Sequence, residues 1–175
     1  MSRALIAIAL FFNFHSCIAA QNIPVELRGK WRVVRILPAN TISCWGDKEA
    51  KALIGTEIEY TANSFRWKDK SIPHPSVEIA VVTADEFQKE YSGSGSFVDF
   101  HRLGIRTSPA TKVHIGHPPA DITGGTIEIP GDEVFIKDRN TIVFSVCGVY
   151  FEGKPESGQK KLQSIDQNAT AKSSR

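Results

Sequence analysis

The stretch Glu133–Glu152, EVFIKDRNTIVFSVCGVYFE, constrains the fold more than any other. Two runs rich in Val, Ile, Phe and Tyr flank Asp138-Arg139-Asn140. β-Branched and aromatic side chains suit a pleated surface, while Asp and Asn accept turn and left-handed conformations. The pattern predicts a β-hairpin with Cys147 inside the apolar second arm. The earlier chain is expected to wrap against it.

The N-terminus has a different character. Arg3 precedes the apolar run Ala4–Phe12, and Cys17-Ile18-Ala19-Ala20 supplies small residues suited to cleavage. This predicts a secretory signal peptide over residues 1–20, cut near Ala20-Gln21. The run is too short for a membrane anchor and is interrupted by Asn13 and His15. Phe14-His15-Ser16 is a poor lipobox for acylation at Cys17. The expected location is therefore the periplasm or the extracellular space, with no integral membrane segment after cleavage.

Cleavage leaves two cysteines, Cys44 and Cys147. In an exported chain such a pair predicts a disulfide. The net charge of +2 is spread without blocks of like charge, which points away from nucleic acid as a partner. One domain is expected over residues 21–155, followed by a polar, disordered tail over 156–175.

Along the chain, Gly29-Lys30-Trp31 opens a strand through Leu37, with Arg32 and Arg35 on opposite faces by simple alternation. Asp47 is expected to cap a short helix bearing Ala50, Leu53 and Ile54 and ending at Gly55. Residues 56–68 alternate cleanly on two arms around Thr61–Ser64 and predict a hairpin. Lys70–Ser76, with Pro73, His74 and Pro75, reads as a loop. Val77, Ile79 and Val81 mark a strand. Thr83 and Glu86 have capping-box spacing before Phe87 and Tyr91. Ser96 and Asp99 suit the start of another short helix carrying Phe97, Phe100 and Leu103. Strands are expected at Thr111–Ile115 and Thr126–Ile129. The count is about eight strands with two or three short helices in the connections, which favours an all-β closed barrel or sandwich.

Gly29-Lys30-Trp31, behind a brief helical lead-in, resembles the G-x-W signature of lipocalins and related calycin barrels. Glu49–Gly55, Ile58-Glu59-Tyr60, Leu103-Gly104-Ile105 and Phe135–Asp138 are similar to segments of small exported lipocalin-like bacterial proteins. The resemblance implies a single antiparallel up-and-down β-barrel of about eight strands. It also implies that Trp31 plugs the closed end.

Chemistry is sparse along the chain. His114 and His117 fall on a strand running into a loop, where an i, i+3 pair shares no face, so no metal site is predicted. His114 alternates with Val113 and Ile115, which turns it away from the interior and argues against haem ligation. Glu57 and Glu59 read as a solvated strand face rather than a catalytic carboxylate pair. No catalytic residue and no cofactor are expected.

The primary expectation is an exported, non-enzymatic binding module holding a small apolar ligand. Tyr60, Trp67 and Phe135 are the in-facing lining candidates. Such a module needs a cavity of roughly 300 Å³ or more. The alternative is an exported interaction or inhibitor-type protein with a filled barrel. It would meet an envelope or extracellular protein through loops such as His117–Gly125 and Ser92–Gly104.

Overall fold

The computed structural model describes residues 22–39, 41–91, 93, 96–117 and 128–156. Nine strands form one curled antiparallel sheet: β1 (Gly29–Ile36), β2 (Glu57–Tyr60), β3 (Ser64–Trp67), β4 (Lys70–Pro73), β5 (Ser76–Val82), β6 (Ala110–Gly116), β7 (Glu133–Asp138), β8 (Thr141–Val146) and β9 (Val149–Pro155). Their order is β4-β3-β2-β1-β9-β8-β7-β6-β5. The first and last strands pair in the middle of the sheet. Two helices, α1 (Asp47–Ala52) and α2 (Ala84–Tyr91), lie in the connections. The all-β class and the up-and-down order agree with the sequence. The signal peptide and tail fall outside the described residues, apart from Glu156, whose N–H donates to the Lys30 carbonyl.

The expected closed eight-stranded barrel is corrected in two ways. There are nine strands among the described residues, because Lys70–Pro73 pairs with β3 instead of looping and the second arm of Glu133–Glu152 divides into two. The sheet also stays open between β4 and β5. The link between these strands explains the gap. Pro73 and Pro75 have no N–H to donate to a first rung. His74 is left-handed at φ 49°, and its N–H is bonded to the Asn63 carbonyl on the neighbouring turn.

The Glu133–Glu152 stretch is three strands, not two. The turn at Asp138-Arg139-Asn140 is where expected, with the Asn140 N–H bonded to Asp138 Oδ1. The second arm breaks again at Cys147-Gly148. Both residues have positive φ, 53° and 75°, the signature of a two-residue hairpin turn. Cys147 therefore sits in a turn, not inside an apolar strand.

A bulge also corrects the reading of β1. The pairing register shifts between Val33 and Arg35. Arg32 pairs opposite Lys154 and Arg35 opposite Glu152, two residues apart on β9, so both arginines share the outer face.

Two apolar clusters hold the fold. The inner face carries Trp31, Val33, Ile58, Tyr60, Phe65, Val113, Ile115, Val134, Phe144 and Phe151, sealed by Ile23, Leu27, Ala50 and Leu53. The outer face of β7–β9 carries Phe135, Val143 and Tyr150 under α2 and residues 98–105. Helix α2 is held by its capping box. The Thr83 N–H donates to Glu86 Oε2 at 2.8 Å, and the Glu86 N–H donates to Thr83 Oγ1 at 3.2 Å. The helix expected around Phe97–Leu103 is only a turn, in which Phe100 and Leu103 are buried and Phe97 is 64% exposed. Of the strand expected at Thr126–Ile129, the described Glu128 and Ile129 are not in a strand.

Candidate functional site

Over β1–β3, β8 and β9 the inner face is filled by the chain's own side chains. Trp31 is buried, and its Nε1 donates to the Leu27 carbonyl at 2.7 Å, which ties β1 to the lead-in turn. Phe144 and Phe151 stack at 5.4 Å, and Tyr60 and Phe65 stack at the same distance. The Tyr60 hydroxyl is buried and donates to the Gly131 carbonyl at 2.7 Å. Burial, and then the nearby Asp132 carboxylate, push this phenol well above its ordinary range, so it stays neutral.

The three lining candidates do not converge. Tyr60 belongs to the inner cluster, and Trp67 packs against its rim. Phe135 lies in the outer cluster, edge-on to Phe87 at 5.4 Å. The indole Nε1 of Trp67 is buried without a hydrogen-bond partner, alone in this among the described side chains. Lys68 Nζ sits 4.2 Å from the Trp67 ring.

Three polar clusters surround this core. On the outer face, the buried Glu152 carboxylate meets Arg35 at 2.8 Å, Lys154 at 3.5 Å and Lys137 at 3.7 Å. Burial works against its charge, but the Arg35 hydrogen bond and the three cations outweigh it and hold the carboxyl below its usual range. Near the start of β7, Asp132 Oδ2 accepts the Ile129 N–H at 3.1 Å and lies 3.4 Å from His117 Nε2. Here burial wins and raises the Asp132 pKa. At the end of α2, the Tyr91 hydroxyl donates to Glu133 at 2.6 Å, beside Lys112. Burial, then Glu133, push the Tyr91 phenol far up, so it is no phenolate nucleophile.

His114 is exposed on the outer side of β6, between buried Val113 and Ile115. His117 instead meets Asp132. Among the described residues, no group of three His, Cys, Asp or Glu is placed to hold a metal ion. Cys44 and Cys147 are bonded, with Cα atoms 5.2 Å apart, and the Cys44 N–H also donates to the Cys147 carbonyl. This fastens the segment after β1 to the β8–β9 turn. No described helix is long and apolar enough to cross a membrane.

The remaining feature is the open seam. Its β5 side carries exposed Ile79 and Val81, at 43% and 66%, beyond buried Val77 on the same face. Sequence alternation marked these residues as a strand, and the strand is there, but alternation carries no information on which strand is an edge. Of the proposed loop surfaces, 118–125 lies outside the described residues. Residues 98–103 pack onto the outer cluster and leave Phe97 as their exposed apolar group. No protein-family model, curated protein or solved structure matches the chain.

Proposed function

We propose that the chain is an exported, non-enzymatic binding module that meets protein partners through its surface, not a carrier of a small apolar ligand. The observation that carries this reading is the occupied inner face: Trp31, Tyr60, Phe65, Phe144 and Phe151 fill it at 2% exposure or less. A carrier needs roughly 300 Å³ of unfilled space lined by such groups. The one inward hydroxyl of the lining candidates, Tyr60, is already bonded within the fold.

Export is supported by the Cys44–Cys147 bond and by the apolar run behind Arg3. A distant lipocalin-like relationship is supported by the up-and-down strand order and by Trp31 at the base of β1. The test is native mass spectrometry of the full-length protein isolated from its own host. The expected spectrum shows a bare polypeptide, lighter by two hydrogens for the disulfide, and a complex with a protein partner. A small-molecule adduct that survives purification overturns the reading.

A further inference from the structure

We infer that Arg35, Lys137 and Lys154, gathered on the outer face around the buried Glu152 carboxylate, bind a doubly charged oxyanion of the phosphate type. The site goes beyond the protein-binding reading above and does not depend on it.

The first observation is charge. Glu152 meets Arg35 from β1, Lys137 from β7 and Lys154 from its own strand, β9. Among the described residues, no other carboxylate forms an ion pair with any of these cations. Three positive charges thus face one negative charge, an excess of two. Arg32 on the same face shows the contrast. It pairs opposite Lys154 and is bonded to both Glu57 and Glu156, so its charge is more than matched.

The second observation is unused donors. Arg35 meets Glu152 through Nη2 alone, which leaves the rest of its guanidinium fork without a described protein acceptor. Lys137 Nζ stops 3.7 Å from Glu152 and reaches no described acceptor within hydrogen-bond distance. Yet its side chain is only 18% exposed, and an ammonium drawn out of water needs bonded partners. It lies against Gly104, where a Cβ would come within 2.8 Å of Nζ. Lys154 donates to Thr141 Oγ1 at 2.7 Å and keeps further N–H groups.

The third observation is how the cluster is assembled. The two strands that bring Arg35 and Lys137 each carry a register shift at that point, between Val33 and Arg35 on β1 and between Ile136 and Asp138 on β7. The first turns Arg35 to the outer face, and the second falls at Lys137 itself. Bulges recur where a strand aims a side chain at a site. Glu152, 6% exposed, holds together three cations that would otherwise repel one another. The donors are therefore ordered before an anion arrives.

These features select the ligand. An excess of two charges matches a dianion. Three separate cations suit the three terminal oxygens of a phosphoryl group better than the two of a carboxylate. The described chain ends at Glu156, bonded to Lys30 at the far end of β1 from Arg35, so it leaves the sheet away from the cluster.

The probe is sodium phosphate at mildly alkaline pH, added to the full-length disulfide-bonded protein at fixed ionic strength, with sodium chloride as control. Amide shifts of Gly104, Lys137 and Lys154 and the Arg35 Nε–H resonance report binding. The expected result is saturable shifts with a dissociation constant of about 1 mM, reproduced by sulfate and absent with chloride. Arg35→Gln leaves two cations on Glu152, so the fold is kept while phosphate affinity falls about tenfold. Lys137→Met keeps the packed stem and gives a similar loss. Arg66→Gln removes one charge from the β3 ion pair with Glu59 and leaves the affinity unchanged. Glycerol phosphate separates the two sources of the group: tighter binding than inorganic phosphate assigns the site to an organic monoester, and equal or weaker binding assigns it to the free ion.

Three results overturn the inference. One is the lack of a saturable shift at about 10 mM phosphate. Another is unchanged affinity in both Arg35→Gln and Lys137→Met. The third is an equal loss in Arg66→Gln, which makes the response a general effect of net charge. Each leaves the protein-binding reading standing, because native mass spectrometry tests that reading separately.

Discussion

The Tyr60 hydroxyl reaches the Gly131 carbonyl at 2.7 Å and joins β2 to the turn that precedes β7. Gly131 has a φ of 89°, and a Cβ there would come within 2.5 Å of that hydroxyl. Tyr60→Phe keeps the stack on Phe65 but removes the buried donor. The expected cost is about 1–2 kcal/mol in urea denaturation, with an unchanged fold by circular dichroism. Gly131→Ala costs more, because it combines a left-handed backbone with a collision.

The β2–β3 hairpin and the Thr83–Glu86 capping box were legible because both are local. Alternation over residues 56–68 and an i, i+3 spacing carry all the information they need. The outer-face burial of Phe135 was not legible. Glu133 and Lys137 share its face of β7 while Val134 and Ile136 face the inner cluster, so the strand's own alternation turns Phe135 outward; what no alternation shows is the second apolar cluster under α2 that buries it there. The missing β4–β5 rungs depend on His74 bonding to Asn63, a contact between turns that no periodicity encodes.

Helix α2 has eight residues, too few to persist in isolation, so its cap and its docking must hold it. Phe87 is fully buried and touches Phe100, Phe135 and Tyr91. Thr83→Ala is expected to cost about 1 kcal/mol and Phe87→Ala about 3–5 kcal/mol. Chemical denaturation measures both. Amide exchange of residues 84–91 should rise in Thr83→Ala before the sheet is affected.

The Cys44–Cys147 bond closes a loop spanning 103 positions. In the chain-entropy model a loop near this length contributes about 4–5 kcal/mol. The paired substitution Cys44→Ser with Cys147→Ser is expected to lower the urea midpoint accordingly, and dithiothreitol should do the same to the wild type. The crossing segment has other ties to the turn, since Ser43 Oγ donates to the Cys147 carbonyl at 2.8 Å and Thr41 Oγ1 bonds to the Gly148 carbonyl. Local order at residues 41–45 should therefore outlast the bond, which comparison of backbone chemical shifts before and after reduction will detect.

Glu152 and Asp132 pull the pH dependence of stability in opposite directions. Burial disfavours the Glu152 charge, but Arg35, Lys154 and Lys137 more than offset it and leave the folded carboxyl below its ordinary range. Its stabilisation is present at neutral pH and is lost as pH falls from the ordinary glutamate range through the lower folded value. Asp132 is raised chiefly by burial, despite the Ile129 N–H and His117. The folded state binds that proton more tightly than the unfolded chain, so its contribution is present at low pH. It declines as pH rises from the ordinary aspartate range through the higher folded value. Unfolding free energy measured by urea titration from acid to neutral pH separates the two. Glu152→Gln should lower stability at neutral pH and flatten the acid-side loss, because three cations then face no carboxylate. Asp132→Asn should make the acid-side loss steeper, since the opposing term is gone. A Glu152→Gln profile parallel to wild type would show that Arg35, Lys137 and Lys154 do not hold that carboxylate in solution.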